Sequence, residues 1–202
     1  MVVIVLGMHR TGSSLLSSIL IDLGVHMGDK LLMRGRMQPY GHWEDVEFVS
    51  LNKRILAAAG GDWKRVPPHA NILRVRGQFN EPIRNLIAKK SKRKRWGWKD
   101  PRTSLTIPLY YPHLVSPRYI RIIRPKSEII QSLQRRHKGG HHWGVLCDEY
   151  VRRVDAFLEG KPHLVVTYRG LVEDSRNEIK RVDEWVNGNG RIKVAMERVK
   201  YD

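Results

Sequence analysis

Five apolar residues, Val2-Val-Ile-Val-Leu6, open the chain after Met1, and four of them are β-branched. The run stops at Gly7, a polar stretch leads to Ser14, and apolar residues return at helical spacing from Leu15 to Leu23. An uninterrupted β-branched run reads as a buried strand and the later periodicity as a helix, so the pattern predicts strand, loop, helix.

Three further runs predict strands. Trp96 to Arg102 reads as a short strand ending in a turn, because Pro101 disfavours helix at the residue before it. Arg118 to Arg124 and His163 to Tyr168 are the other two. Between them, Val46 to Leu56 has the spacing of a helix whose start is marked by Glu44-Asp45 and whose end is marked by Gly60-Gly61. Glu81 to Ala88 predicts a helix with Pro82 in its first turn. Glu128 to Arg136, Cys147 to Leu158 after a Gly-His loop, and Val172 to Val186 complete the helices. Gly24 to Gly28 reads as a brief strand or turn and Arg34 to Gly41 as a polar loop, while Gly188 to Asp202 carries no clear pattern.

Strands alternating with helices imply an α/β fold, a P-loop-like three-layer sandwich with a central parallel sheet flanked by helices. The expectation is one domain over residues 1–202. Ligands of such sheets bind outside the carboxyl ends of the strands, which is where Arg10, Lys99, Arg124 and Tyr168 fall.

Charge adds a constraint on partners. The chain carries 37 Lys+Arg against 20 Asp+Glu, a net charge of +17, which favours polyanions or an acidic substrate. Six of those cations lie in seven residues, Lys89 to Arg95, readable as a solvated helix end or as a polyanion-binding patch. Cys147 is the single cysteine, so neither an internal disulfide nor a cysteine metal cluster is expected. His141-His142 lacks a third ligand at metal spacing. The first apolar run is too short to span a bilayer and lacks the flanks of a signal peptide, so a cytoplasmic location is the expectation.

The loop after the first strand carries the candidate chemistry. A strand-to-helix junction aims backbone N–H groups at the loop, where the helix dipole favours an anion. Gly7 and Gly12 let the main chain approach it, Arg10 can grip it bidentately, and Ser13 and Ser14 can donate hydroxyls or cap the helix. The two glycines have the spacing of a nucleoside triphosphate loop, but Ser13 stands where that loop needs lysine. No second strand is read as ending in a magnesium-binding aspartate, so a metal-free anion is expected.

Together these residues resemble the sulfotransferase family, whose donor is 3′-phosphoadenosine 5′-phosphosulfate (PAPS) and whose spent donor is 3′-phosphoadenosine 5′-phosphate (PAP). Gly7-Met-His9-Arg10-Thr11-Gly12-Ser13-Ser14-Leu-Leu16 is similar to the family's 5′-phosphosulfate loop in its bacterial form. Arg124 with Ser132 resembles the 3′-phosphate motif, and Trp98-Lys99-Asp100-Pro101 resembles the Lys-Asp-Pro of tyrosylprotein-type enzymes. Val165-Val-Thr-Tyr168 resembles the strand whose tyrosine reaches the adenine side. The resemblance implies that His9 to Ser14, Arg124, Ser132 and Tyr168 bind the donor and that Lys99 supports the transferring group, with no metal. It also implies a histidine or glutamate base for a hydroxyl or amine acceptor. Glu44 is the first candidate, His42 the second and Asp45 the third. Asp100 is expected to turn the chain with Pro101.

The chain departs from the family where Pro125 follows Arg124 and Arg169 follows Tyr168, since an acidic residue is usual at both places. Gly188-Asn-Gly-Arg-Ile-Lys193 is a faint echo of the family's C-terminal Arg-Lys-Gly loop. Two other classes stay open: a nucleotide kinase or NTPase with a divergent loop, and a non-catalytic polyanion binder using Lys89 to Arg95.

Overall fold

The computed structural model describes residues 1–32, 41–137 and 142–199. The polar loop expected at Arg34 to Gly41 and the Gly-His stretch therefore lie outside the described residues, except for Gly41 and His142. In chain order the first elements are β1 (Val2–Leu6), α1 (Ser13–Asp22), α2 (Val46–Ala58), α3 (His69–Arg74), α4 (Arg76–Lys90) and β2 (Trp96–Lys99). Then come α5 (Thr103–Tyr110), β3 (Pro117–Ile123), α6 (Lys126–Arg136) and α7 (Trp143–Leu158). β4 (His163–Thr167), α8 (Tyr168–Glu173), α9 (Ser175–Trp185) and α10 (Ile192–Glu197) follow.

The four strands pair in parallel in the order β2-β1-β3-β4, which bears out the expected central sheet. Alternation along β1 divides the core into two layers. Val2, Ile4 and Leu6 face α2 to α7, whereas Val3 and Val5 face α1, α8, α9 and α10. Val3, Ile4 and Leu6 are completely buried, which stabilises the fold by about 1.5–3 kcal/mol for each side chain. The sheet is thus covered on both faces, and the three layers are as the pattern predicts.

From β1 the chain crosses to β2 on one side, and from β3 it crosses to β4 on the other. The order of winding reverses between β1 and β3, so the crevice at their carboxyl ends is the position where such sheets take ligands. The Gly7 to Gly12 loop leaves β1 on one lip of that crevice, and Arg124 leaves β3 on the other.

Several helices differ from the sequence expectation. α4 begins at Arg76, so Pro82 lies inside it rather than in its first turn. Phe79, Ile83, Leu86 and Ile87 form one buried stripe, and that burial offsets the single backbone bond the proline forgoes. α5 was not expected, because Pro108 and the β-branched Thr103, Thr106 and Ile107 lower its propensity. Tertiary bonds described below hold it. Val172 to Val186 is two helices, not one: Thr167 caps α8 by accepting from Gly170 N at 2.8 Å, and the chain breaks at Asp174. α10 falls in the stretch without a clear pattern.

Candidate functional site

The two loop glycines are required by packing. A Cβ on Gly7 would lie 2.7 Å from Ile122 Cγ2 and 2.8 Å from the Ile122 carbonyl, so β1 can end against β3 only without a side chain there. Ser104 locks the same point, its Oγ accepting from Gly7 N at 3.0 Å and donating to Gly7 O at 3.1 Å. Gly12 has φ +87° at the N-cap of α1, and a Cβ there would lie 2.3 Å from Tyr168 Cδ2. Besides leaving room for an anion to approach the main chain, these glycines seat β3 and Tyr168.

Because Gly12 holds the cap position, neither Ser13 nor Ser14 caps the helix; of the two roles expected for them, that of hydroxyl donors in its first turn is the one left. That end of α1 has no side-chain cap and no acidic residue in its first turn, so its N–H groups face the crevice with their dipole undiminished. Thr11 Oγ1 donates to Met8 O at 2.8 Å and closes the loop on itself. His9 turns to an aromatic wall, its ring 4.3 Å from that of Trp63, with Nε2 buried and without a hydrogen-bond partner. Burial, reinforced by Arg102, Lys99, His137 and Arg10, pushes its pKa well below 6.5 and keeps it neutral.

Arg10, also left-handed at φ +71°, links the two lips. Its Nε donates to Ser132 Oγ at 2.8 Å, and its carbonyl accepts from Arg124 Nη1 at 3.3 Å. Ser132, expected to serve one phosphate with Arg124, accepts this bond from Arg10, since a hydroxyl two turns into α6 reaches back to the β1 loop. The Arg124 guanidinium lies 4.0 Å from the centre of the Tyr168 ring, a cation–π contact, and its Nε donates to Glu128 at 2.9 Å.

Lys99, at the end of β2, is almost completely buried and donates to Glu44 Oε1 at 2.9 Å, to Ser14 Oγ at 3.3 Å and to the His42 carbonyl. Glu44 Oε2 lies 3.8 Å from Arg102 Nη1. The acidic pair before α2 therefore separates by role. Asp45 caps α2 through Glu47 N at 2.9 Å and is fully buried against Lys90 at 2.6 Å, while Glu44 turns to the cleft. His42 lines the cleft beside it, and burial lowers its pKa, opposed by Glu44 and assisted by Lys99.

These groups share a cavity of about 250 Å³ lined by His9, Arg10, Ser13, Ser14, His42, Glu44 and Lys99. Lys53, Trp63, Arg102 and Arg136 also line it and were missed in the sequence. Asp100 directly follows β2. Its carboxylate is committed to Arg102 at 2.8 Å and Asn52 at 2.9 Å, which agrees with a structural role. Burial pushes its pKa up, with Arg102 opposing. Asn52, fully buried, also donates to Thr103 Oγ1 and accepts from Thr106 and Tyr110, tying α2 to α5 and fixing the turn that aims Lys99. An asparagine in the middle of a helix gave no sign of this.

The basic block is less available than its composition suggests. Lys89 pairs with Glu47, Arg95 with the Asn187 carbonyl and Arg93 with Asp29, so with Lys90 four of its six cations are spent internally. Lys90 Nζ is 2.7, 2.6 and 2.7 Å from Asp29, Asp45 and Glu47, bridging the trio of carboxylates that cluster there. Gly188 to Lys193 lies by Asp22, whose carbonyl accepts from Asn189 at 3.3 Å. That is the far end of α1, about 15 Å from its N-terminus at 1.5 Å per residue, so the faint C-terminal echo is not at the site. Among the described residues, no helix is long and apolar enough to cross a membrane.

No protein-family profile matches the chain, and no curated protein matches its sequence. Among solved structures its fold is similar to that of the sulfotransferase STF9 from Mycobacterium avium. The likeness has a TM-score of 0.57 at 16% sequence identity and covers 96% of this chain and 66% of that one. At that identity it shows the fold.

Proposed function

We propose that the chain is a sulfotransferase that moves a sulfuryl group from PAPS to a hydroxyl or amine acceptor. The observation that carries this reading is the Lys99–Glu44 pair at 2.9 Å, held in the same cleft onto which Arg10 and the first turn of α1 open. An anion seat, a buried ammonium and a carboxylate are the parts such a transfer needs.

The residues present fit the donor: the uncapped, acid-free end of α1 and Arg10 suit one phosphate, and Arg124 beside Tyr168 suits a second anionic group next to a base. When bound, the donor supplies a sulfuryl group whose charge spreads over peripheral oxygens and builds on the bridging oxygen. Lys99 neutralises that charge and Arg10 with the α1 amides holds the phosphate side. Glu44 takes the acceptor proton, with His42 as the alternative base. Arg124 holds the 3′-phosphate and Tyr168 lies toward the adenine.

Lys53, Arg102 and Arg136 beside Trp63 favour an acceptor that itself carries negative charge, such as an anionic glycan or peptide. The NTPase reading is weaker, because Asp100 is already bound by Arg102 and Asn52 and the loop lysine is absent. The test is transfer of labelled sulfuryl from PAPS, without added metal, to a panel of charged and neutral acceptors. Labelled acceptor and released PAP are expected. Magnesium-dependent ATP turnover with none from PAPS would contradict the proposal, and reaction with neutral small alcohols alone would remove the anionic acceptor.

A further inference from the structure

Two arginines converge on one carboxylate at the β3 lip of the crevice. Arg124 Nε donates to Glu128 Oε2 at 2.9 Å, while Arg169 Nη2 and Nε donate to Glu128 Oε1 at 2.7 and 3.1 Å. Arg169 directly follows Tyr168, the ring that the Arg124 guanidinium covers at 4.0 Å. The end of β3 and the start of α8 thus bring two planar donor forks to opposite oxygens of a single anion. Guanidinium forks match carboxylate and phosphate oxygens equally well.

The strength of the present contacts decides how the cluster behaves. Arg169 is 60% exposed and Glu128 25% exposed, and partly solvated ion pairs of this kind contribute little to stability. A phosphate dianion brings more charge and more acceptor oxygens than the carboxylate it would displace. The exchange is therefore favourable for the incoming anion and cheap for the protein.

We infer that Arg169 and Arg124 form a two-arginine seat for the ribose 3′-phosphate of the donor nucleotide, with Glu128 as the resident counter-ion that yields it. This rests on the sulfotransferase reading and extends it to Arg169, which stands where an acidic residue is usual in that family. Arg169 then supplies the second cation that Gly188 to Lys193, at the far end of α1, does not. It sets specificity for nucleotides that carry the 3′-phosphate over those that lack it.

The test is calorimetric titration of wild type, Arg169→Ala and Glu128→Gln with PAP and with adenosine 5′-phosphate, which lacks the 3′-phosphate. Arg169→Ala is expected to weaken PAP about tenfold, the scale of one charge-assisted hydrogen bond, and to leave adenosine 5′-phosphate within about twofold. Glu128→Gln is expected to tighten PAP alone. Arg169→Ala with PAP affinity unchanged, or with both nucleotides weakened alike, overturns the seat, and Glu128→Gln weakening PAP overturns the counter-ion role. Wild type that binds neither nucleotide would instead remove the PAPS reading on which the inference rests.

Discussion

Arg124 Nη1 donates to the backbone carbonyl of Arg10 at 3.3 Å, joining residues 114 apart in the chain. The contact closes the crevice between β1 and β3 and makes one surface of two loops. A ligand with anionic groups at both ends can bridge them.

Glu44 and Lys99 separate chemistry from binding. Glu44→Gln keeps a hydrogen-bond acceptor for Lys99 but cannot take a proton. PAP affinity should hold while sulfuryl turnover falls roughly 100-fold or more, the scale of a lost general base. Unchanged turnover in a steady-state assay would assign the base to His42.

Gly12 should tolerate no side chain. Gly12→Ala adds the contact with Tyr168 to the strain of positive φ and is expected to cost about 2–4 kcal/mol in urea unfolding. Gly60→Ala, at φ +89° with nothing within 4 Å, should cost only about 1 kcal/mol. Equal costs would mean that the Tyr168 contact carries no weight.

His9 gives stability a pH dependence of known sign. Folded His9 is held neutral by burial and the surrounding cations, whereas the unfolded chain takes up its proton near 6.5. Stability is therefore full above about pH 6.5 and falls as the pH drops below it. Between about pH 7.5 and 5.5 the wild type should lose more stability than His9→Asn, as read by urea midpoints. Parallel curves would contradict the buried neutral imidazole.

Lys90 is structural, although it sits in the basic block. Burial works against its charge, but bonds to Asp29, Asp45 and Glu47 outweigh this and raise its pKa above the ordinary lysine value. Lys90→Met should destabilise by about 2–4 kcal/mol, since Asp45 is fully buried while Asp29 and Glu47 keep some solvent. Lys92→Ala and Lys94→Ala, measured the same way, should each stay within about 0.5 kcal/mol.

The strands were legible because each is a short apolar run bounded by a turn, and Arg10, Lys99, Arg124 and Tyr168 follow from the rule that such sheets bind ligands at strand ends. What was not legible depends on contacts distant in sequence. α5 contradicts its own propensities and is held by Asn52, some fifty residues earlier. Glu44 and Asp45 look alike as a pair, and only the fold sends one into the cleft and the other to cap α2. Lys89 to Arg95 reads equally as a solvated helix end or a polyanion patch, and neither reading shows the carboxylates of Asp29, Asp45 and Glu47 that the fold places against it.

The most direct measurement is metal-free calorimetry with PAP on wild type and Arg124→Ala, with thermal unfolding used to confirm that both are folded. The account predicts a single site in the wild type and a loss of about 2–4 kcal/mol in the variant, the scale for removing one partner of a desolvated charge pair. Equal affinity in the two proteins would show that Arg124 and the Arg10 loop do not hold the same nucleotide.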